Sequence, residues 1–401
     1  MTLIFIMNPI KLSIIIPAYN EEDAIAAIIE RCLKERENIV RETPVEEVEI
    51  IVVNDGSHDK TPEIARQFKE VSLISSTKNR GYGAAIKNGF EKATGTIVSF
   101  LDADGTCDPN YFIGMCNTLI EKNADIVIGS RMTRESKMPT IRRIGNLLYV
   151  GLINLLGDTR ITDSASGMRV IKKSSLEKIY PLPDGLHFTP AMSCRAVLDD
   201  DIKILEIPMR YEERVGESKL GVVQDGIRFL KTIIDIALTY EPFKFFGITG
   251  IIFFLIGLGY GIYPLVYYIQ FTLVPDYMIY RLITVMVFIV TSFTLFTVGI
   301  ISDEITDLIH KSKKRERKFK PAIYSLLSQK NLIIFGIIVA LCGIAINYKT
   351  IMQYISTGLI DVPWVYVVTG AFLVLIGLQS IALGFLRRIL ATLQLVKGVK
   401  D

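Results

Sequence analysis

Two aspartates at positions 102 and 104 are the residues of this sequence whose chemistry is most easily stated. They follow residues 97–101, a short apolar run with the composition of a buried strand. Two carboxylates at a strand end can bind one hard divalent cation, which keeps several waters and is shared with substrate phosphates. Such a cation, Mg²⁺ or Mn²⁺, would neutralise a diphosphate leaving group as a Lewis acid. We therefore predict that Asp102 and Asp104 hold a metal-bound diphosphate.

Further polar clusters follow other apolar runs in the same half of the chain. They are Pro17-Ala18-Tyr19-Asn20-Glu21, Asn54-Asp55-Gly56-Ser57 and Gly129-Ser130-Arg131. Each alone is also typical of a turn or a helix cap. Gly81-Tyr82-Gly83, a glycine-rich turn before a predicted helix, carries little weight by itself. The sequence has no Gly-x-x-x-x-Gly-Lys-Ser/Thr motif, which excludes a P-loop nucleotidase.

The elements that must position these clusters alternate along the chain. Residues 12–16, 49–53, 71–75, 97–101 and 125–128 are predicted strands, and residues 22–34, 62–68, 83–93 and 111–121 are the predicted helices between them. This order predicts an α/β domain with a mainly parallel sheet and helices on both faces, of the Rossmann-like kind. Ligands of such sheets bind beyond the carboxyl ends of the strands. The polar clusters are therefore expected to meet at one edge.

The carboxy-terminal half contains apolar stretches without Asp, Glu, Lys or Arg. They are residues 245–269, 282–302, 331–348 and 362–386. A membrane-spanning helix needs about 20 such residues, so the third stretch is marginal and the others are long enough. We predict a domain of residues 1–219, an interfacial amphipathic helix at 220–242 and a four-helix transmembrane domain at 243–401.

The formal net charge of +3 combines two unlike halves. From Phe243 to Asp401 there are 15 Lys or Arg and 7 Asp or Glu, so the first half is slightly acidic. A single soluble domain is excluded, and nucleic acid is not an expected partner. Basic residues concentrate between the second and third spans and after the fourth. By the positive-inside rule these segments and the amino-terminal domain face the cytoplasm of a multi-pass protein in the cell membrane.

Five motifs together resemble the GT-A glycosyltransferases of family 2, and within them the polyprenyl-phosphate (dolichyl-phosphate) hexose synthases. Pro17-Ala18-Tyr19-Asn20-Glu21 resembles the family's P-x-Y-N-E, Val53-Asn54-Asp55-Gly56-Ser57 its V-D-D-G-S, Asp102-Ala103-Asp104 its D-A-D, Asp163-Ser164-Ala165-Ser166-Gly167 its D-x-x-S-G, and Arg214-Val215-Gly216-Glu217-Ser218-Lys219 its R-x-G-x-S-K. The resemblance covers residues 11 to about 225. Gly105-Thr106 stands where the family often has Leu-Gln, and Asn146 aligns with a family serine.

The resemblance implies a role for each matched position. Pro17, Tyr19, Glu21, Asp55 and Asp102 would bind the nucleotide sugar, Asp102 and Asp104 the Mg²⁺ or Mn²⁺, and Arg131, Arg142, Arg214, Ser218 and Lys219 the acceptor phosphate. Asp102, Asp104 and Arg131 would be the catalytic residues. The implied activity is inverting transfer of a hexose from GDP-mannose or UDP-glucose to a polyprenyl (dolichyl) phosphate at the cytoplasmic membrane face, among membrane lipids.

The chemistry of the acceptor agrees with this set of residues. A phosphate monoester has a second pKa of about 6, so it is mostly dianionic near neutral pH. It is already a nucleophile, and it needs cations rather than a general base. Two other functions stay open: a transporter or scaffold with a regulatory nucleotide-sugar-binding domain, and a processive polysaccharide synthase. The latter carry Q-x-x-R-W, whereas the single tryptophan here is Trp364 in the last span. The sugar, the base, the polyprenyl type, the role of the spans and the oligomeric state stay open too.

Overall fold

The computed structural model describes residues 9–215, 221–272, 274–309 and 327–398. The chain divides into two compact units, Met1–Ala237 and Leu238–Asp401, called unit 1 and unit 2 below.

Unit 1 is built on a seven-stranded sheet. The strands are β1 (Lys11–Ala18), β2 (Glu47–Asn54), β3 (Ser72–Ser75), β4 (Ile97–Leu101), β5 (Ile126–Ser130), β6 (Met168–Lys172) and β7 (Ile204–Pro208). Their order is β3-β2-β1-β4-β6-β5-β7. Only β6 runs antiparallel, against both β4 and β5.

The helices of unit 1 alternate with these strands. They are α1 (Ile25–Glu42), α2 (Thr61–Ala65), α3 (Tyr82–Lys92), α4 (Tyr111–Glu121), α5 (Thr140–Leu156), α6 (Leu176–Ile179), α7 (Phe188–Leu198) and α8 (Val222–Tyr240), whose last residues belong to unit 2. Strand β1 is buried along nearly its whole length, because helices cover both faces of the sheet. The predicted mainly parallel α/β sheet is confirmed, and its first five strands lie where the sequence predicted them.

The antiparallel strand β6 was not predicted, and it has a direct consequence for the site. Because Leu101 pairs with Met168, the amino-terminal end of β6 lies beside the carboxyl end of β4. The segment that precedes β6, residues 163–167, is thereby brought to the edge at which β1, β2 and β4 end. The reversed strand thus brings residues 163–167 to the edge where the polar clusters after β1, β2, β4 and β5 also lie.

Helix α8 lies where the sequence predicted an interfacial helix, at 220–242. On one side Phe229, Ile233 and Ala237 are buried, and Phe229 meets the ring of Tyr149 in α5 edge to face. Another side leaves Val223 and Ile227 76% and 65% exposed. The helix is amphipathic as predicted, and its lying on a membrane stays a prediction.

Unit 2 consists of α9 (Pro242–Phe271), α10 (Ile279–Ile309), α11 (Gln329–Ile346), α12 (Tyr348–Thr357) and α13 (Trp364–Gly398). Among the described residues, α9, α10, α11 and α13 are long and apolar enough to cross a membrane. They contain the four predicted spans, except for two residues at one end of the third and of the fourth. The third is again the shortest. The four apolar helices of the predicted fold are confirmed.

Close backbone approach and a few polar contacts join these helices. A methyl group at Gly336 of α11 would lie 2.6 Å from the carbonyl oxygen of Gly377 in α13, so the two helices touch without side chains between them. At one end of the unit, Arg387 of α13 pairs with Glu304 of α10 at 2.7 Å. At the other end, Trp364 donates to Asp276 at 3.1 Å.

The Glu304–Arg387 pair yields the first test. Both side chains are largely buried, at 15% and 9% exposure. Arg387→Met leaves the Glu304 carboxylate without its partner, and we expect the free energy of unfolding to fall by about 3 kcal/mol. Adding Glu304→Gln should recover most of the loss, because no unpaired charge then remains. Equal losses in the single and double variants, measured by detergent-induced unfolding, would contradict this account.

Candidate functional site

A cavity of about 460 Å³ lies in unit 1 at the carboxyl edge of the sheet. Its walls include every predicted site residue that the structure describes: Pro17, Tyr19, Glu21, Asp55, Asp102, Asp104, Arg131, Arg142 and Arg214. Ser218 and Lys219 lie outside the described residues. The predicted convergence of separate polar clusters on one edge is therefore what the fold produces.

The first two clusters are held to one another by hydrogen bonds. Asn20 Oδ1 accepts the His58 N–H at 2.8 Å, and Ser57 Oγ accepts the Asn20 N–H at 2.9 Å. Gly56 has φ +72°, and a methyl group there would lie 2.6 Å from the backbone of Lys78. Only glycine suits this turn, because it combines a left-handed backbone with close approach. These contacts fix the ends of β1 and β2 as one wall of the cavity.

Asp55 is buried and bonded to the turn that precedes α3. Its two carboxylate oxygens accept the N–H groups of Arg80 and Gly81 at 3.0 and 2.7 Å. Each oxygen keeps a further lone pair. Asp55 thus orients the turn and still lies in the cavity wall.

Asp102 lies between a hydroxyl group and a glycine. Tyr82 donates to Asp102 Oδ1 at 2.6 Å, and a methyl group at Gly167 would lie 1.8 Å from Oδ2. Burial, together with the nearby Asp104 carboxylate, raises the pKa of Asp102 from 3.8 to about 7. The Tyr82 hydrogen bond and the charges of Arg131 and Arg214 lower this pKa, but by less than burial and Asp104 raise it.

Asp104 is engaged on both of its oxygens. Oδ1 accepts the Thr106 hydroxyl at 2.6 Å, and Oδ2 pairs with Arg214 at 3.0 Å. Arg214 also pairs with Glu21 at 2.6 Å. The segment that carries Arg214 is fastened beside the aspartates, since Val215 N–H donates to the Asp104 carbonyl at 3.1 Å. Arg214, which the resemblance assigned to the acceptor phosphate, therefore lies among the carboxylates.

Thr106 and Arg169 are two residues whose importance the sequence did not reveal. Thr106, at a departure from the family pattern, orients Asp104 as described. Arg169 of β6 is completely buried and donates to the carbonyls of Ser164 and Ser166 at 2.8 and 3.3 Å. Burial lowers the pKa of its guanidinium to about 10. Thr106, two positions after Asp104, could have been predicted to form an Asx-type turn with it. Nothing in the sequence around Arg169, an arginine inside a short strand, indicates its role.

Arg131 forms a buried ion pair. Its Nε and Nη2 bond to the two oxygens of Asp163 at 2.7 and 2.8 Å, and its guanidinium lies 5.6 Å from the ring centroid of Tyr211. Burial alone would raise the pKa of Asp163, but the charge and hydrogen bonds of Arg131 hold it below its ordinary value. Nη1 takes no part in this pair. Arg131 therefore lines the cavity as a strongly oriented cation.

The remaining wall is formed by α5 and α8 and is mainly apolar. Met138, Ile141, Tyr149 and Phe229 line it, and Arg142 and Arg228 bring positive charge to it. The Tyr149 hydroxyl donates to the Gly226 carbonyl at 3.1 Å, which joins the two helices. Arg228, which pairs with Asp225 of the same helix at 3.0 Å, is a cation of this wall.

Apolar side chains continue outward from this wall. The exposed large apolar residues of α5 are Ile141, Ile144, Leu147, Leu148 and Leu155, and those of α8 are Val223, Ile227 and Leu230. Large exposed apolar patches on soluble monomers commonly mark a binding surface. The cavity is therefore polar at the strand ends and apolar at the two helices.

Asn146 of α5 forms hydrogen bonds with the segment that precedes β6. It accepts the N–H and the hydroxyl of Ser164, both at 3.0 Å, and donates to the Thr162 carbonyl at 2.9 Å. Where the family serine aligns, this chain therefore has a residue that holds the segment preceding β6.

The two aspartates suit a divalent cation in their chemistry. Both are carboxylates, the ligand type that Mg²⁺ and Mn²⁺ prefer. Among the described residues no group of three or more His, Cys, Asp or Glu could hold a metal by itself. A cation here would take its other ligands from water and a diphosphate, as Mg²⁺ commonly does.

The pKa of Asp102 leads to a prediction about stability. A carboxyl group whose pKa is raised on folding binds its proton more tightly in the folded state, so stability is lost as the pH rises from 3.8 through about 7. The neutral side chain of Asp102→Asn removes this penalty. Without divalent metal, we expect the variant to unfold at a higher temperature than the wild type at pH 8 and at a similar temperature near pH 4. A thermal unfolding series in EDTA measures this, and a variant that is no more stable at pH 8 would contradict it.

Similarity to known proteins agrees with the geometry. Residues 13–180 match Glycosyl transferase family 2, and residues 242–397 match a domain of unknown function, DUF8752. The dolichyl-phosphate hexose transferase of Haloferax volcanii is 30% identical over 57% of this chain and 94% of its own length. The low-salt glycan biosynthesis hexosyltransferase Agl6 of the same organism is 30% identical over 56% of this chain, but the match spans only about half, 53%, of Agl6.

A solved structure is similar at a lower sequence identity. Glucosyl-3-phosphoglycerate synthase from Mycobacterium tuberculosis matches with a TM-score of 0.45 and 18% identity, over 56% of this chain and 79% of that one. With the motifs, the sheet and the relatives together, the chain belongs to glycosyl transferase family 2 and has its GT-A fold.

Proposed function

We propose that this glycosyltransferase moves a hexose from a nucleotide sugar to a polyprenyl phosphate. The observation that carries the proposal is the two-ended cavity. Carboxylates at the strand ends suit a metal-bound nucleoside diphosphate, and the apolar wall between α5 and α8 suits a lipid chain. The name of the Haloferax volcanii relative, a dolichyl-phosphate hexose transferase, supports the same class of acceptor.

The donor end would hold the nucleotide sugar. Pro17, Tyr19, Glu21 and Asp55 would contact the base and ribose, as the resemblance implies. Asp102 and Asp104 would hold Mg²⁺ or Mn²⁺, which when bound supplies positive charge to the leaving diphosphate. Arg214, which pairs with Asp104 and Glu21, would supply positive charge to the diphosphate or the acceptor phosphate.

The acceptor end would receive the lipid phosphate between Arg142 and Arg228. Arginine binds phosphate with a planar pair of N–H donors, and the apolar wall keeps competing water away. Arg131, held by Asp163, adds a cation that cannot turn away from the cavity. Ser218 and Lys219 stay predicted phosphate ligands.

The transfer is a single displacement. An oxygen of the phosphate dianion forms a bond to the anomeric carbon, while the bond from that carbon to the diphosphate oxygen breaks. The nucleoside diphosphate leaves with the bonding electrons, and the configuration inverts. No proton moves, so no general base is required.

The orientation of the protein belongs to the same proposal. The end of unit 2 with Glu304 and Arg387 adjoins, along the chain, the segment rich in lysine and arginine. The opposite end carries the aromatic rings of Tyr260 and Tyr263 against Arg281. Basic residues favour the cytoplasmic side and aromatic rings the interface. The catalytic unit and the carboxy terminus are accordingly assigned to the cytoplasm.

The activity is tested on the purified full-length protein. Radiolabelled UDP-glucose and GDP-mannose are each supplied with dolichyl or undecaprenyl phosphate and Mn²⁺, and the organic phase is assayed for a labelled lipid. We expect product from at least one pair and its loss in Asp104→Ala, because that carboxylate is removed. Asp108→Ala serves as the control, since Asp108 does not line the cavity and pairs with Arg31 at 3.3 Å. The absence of labelled lipid from every pair would overturn the proposal.

The acceptor end has its own test. Arg142→Ala should raise the KM for polyprenyl phosphate by about tenfold, since a charged hydrogen bond contributes about 1.5 kcal/mol or more, and should leave the KM for the donor unchanged. Arg143→Ala is the matched control, because the neighbouring arginine does not line the cavity. Equal effects of the two substitutions on the acceptor KM would rule out a specific role for Arg142.

A further inference from the structure

Tyr82 is the first residue of α3, and its hydroxyl reaches the first aspartate of the pair. The hydrogen bond to Asp102 Oδ1 is 2.6 Å long, and Tyr82 itself lines the cavity. Neither the D-x-D motif nor any other motif in the sequence indicates this contact. It places an uncharged donor on the carboxylate that is assigned to the metal.

The ring of Tyr82 is fixed by aromatic packing. It meets Phe188 of α7 edge to face, with centroids 6.4 Å apart, and Phe188 meets Phe100 of β4 in the same way at 6.0 Å. Phe100 and Phe188 are both completely buried. The hydroxyl therefore has a defined position, because its ring is attached to the core.

Two glycines allow the backbone to place the ring there. Gly81 has φ +106°, and a methyl group on it would lie 2.6 Å from the Asp184 carbonyl oxygen. A methyl group on Gly83 would lie 2.2 Å from the Pro183 carbonyl oxygen. Any larger residue on either side of Tyr82 would push α3 away from this segment. The Gly81-Tyr82-Gly83 sequence is thus a packing requirement around one tyrosine.

The same turn also connects Asp55 and Asp102, the two carboxylates of the donor end of the cavity. Arg80 and Gly81 donate their N–H groups to Asp55, and the next residue donates to Asp102. Asp55 is assigned to the nucleotide and Asp102 to the metal. A displacement of the turn would therefore disturb both carboxylates together.

Asp102 needs such support because Asp104 repels it. Its Oδ2 lies against Gly167, where no side chain could be added, so the carboxylate is confined between Gly167 and the Tyr82 hydroxyl. Outer partners of this kind orient metal-binding carboxylates. We propose that Tyr82 is a positioning residue that holds the Asp102 carboxylate in the orientation that binds the divalent cation, an inference that rests on the proposed function.

Tyr82→Phe removes the hydroxyl and keeps the ring. Binding of Mn²⁺ to the full-length protein in detergent is followed by electron paramagnetic resonance with UDP or, separately, GDP present. We expect about tenfold weaker Mn²⁺ binding, the usual scale for an outer partner of a metal ligand. Turnover should fall at low Mn²⁺ and recover at saturating Mn²⁺, with the KM for polyprenyl phosphate unchanged.

A second tyrosine provides the matched control. The Tyr111 hydroxyl accepts the Arg210 N–H at 3.0 Å, and Tyr111 does not line the cavity, so Tyr111→Phe should leave Mn²⁺ binding unchanged. Phe188→Leu loosens the support of the ring but keeps the hydroxyl, and it should weaken Mn²⁺ binding to a smaller extent. This variant serves as the test if Tyr82→Phe does not fold.

Unchanged Mn²⁺ affinity in a folded Tyr82→Phe protein would overturn the inference, and so would an equal loss in Tyr111→Phe. Its failure differs from a failure of the proposed function. Weakened Mn²⁺ binding without lipid product from any donor would leave the role of Tyr82 standing and remove the reaction. Normal transfer with unchanged Mn²⁺ binding in Tyr82→Phe would leave the reaction standing and remove the role of Tyr82.

Discussion

Asp102 and Asp104 carry like charges at the end of β4, and the site depends on how that repulsion is balanced. Asp104 is balanced by Arg214 and oriented by Thr106. Asp102 accepts a hydrogen bond from the neutral Tyr82 hydroxyl, and burial together with the nearby Asp104 carboxylate raises its pKa to about 7. In the proposed function, a divalent cation with its diphosphate would supply positive charge beside this pair.

The reversed strand β6 explains how so many elements reach this pair. A wholly parallel sheet would place the start of β6 at the opposite edge. Antiparallel pairing with β4 instead brings Gly167 against Asp102 and Asp163 against Arg131. The buried Arg169 then holds that segment through two backbone carbonyls. Among the residues that the structure describes, no carboxylate is bonded to this guanidinium, and so costly a residue is consistent with a role in fixing the shape of the site.

The apolar helices fit the proposed function by a different physical route. A nucleotide sugar is soluble in water, whereas a polyprenyl phosphate is not, so the proposed phosphate site would have to lie where a lipid can enter. Helices α5 and α8 leave apolar side chains exposed beside the cavity of unit 1, which suits such an entry. Unit 2 adds four long apolar helices joined by close backbone contact and few charges. The paired Glu304 and Arg387 lie near helix ends, an arrangement that does not mark a path for substrate through the unit.

The sequence by itself determined the fold class, the four apolar helices and nine of the residues that line the cavity. These follow from local signals: runs of apolar residues, helical length and polar residues at strand ends. Only the tertiary structure decided that β6 is reversed, that Arg131 is paired with Asp163, that Arg214 lies among carboxylates, and that Tyr82, Thr106 and Arg228 belong to the site. Each of these is a contact between segments far apart in the chain, such as Arg214 with Glu21. Strand direction and pairing depend on the packing of the whole sheet, so no local pattern of residues could specify them.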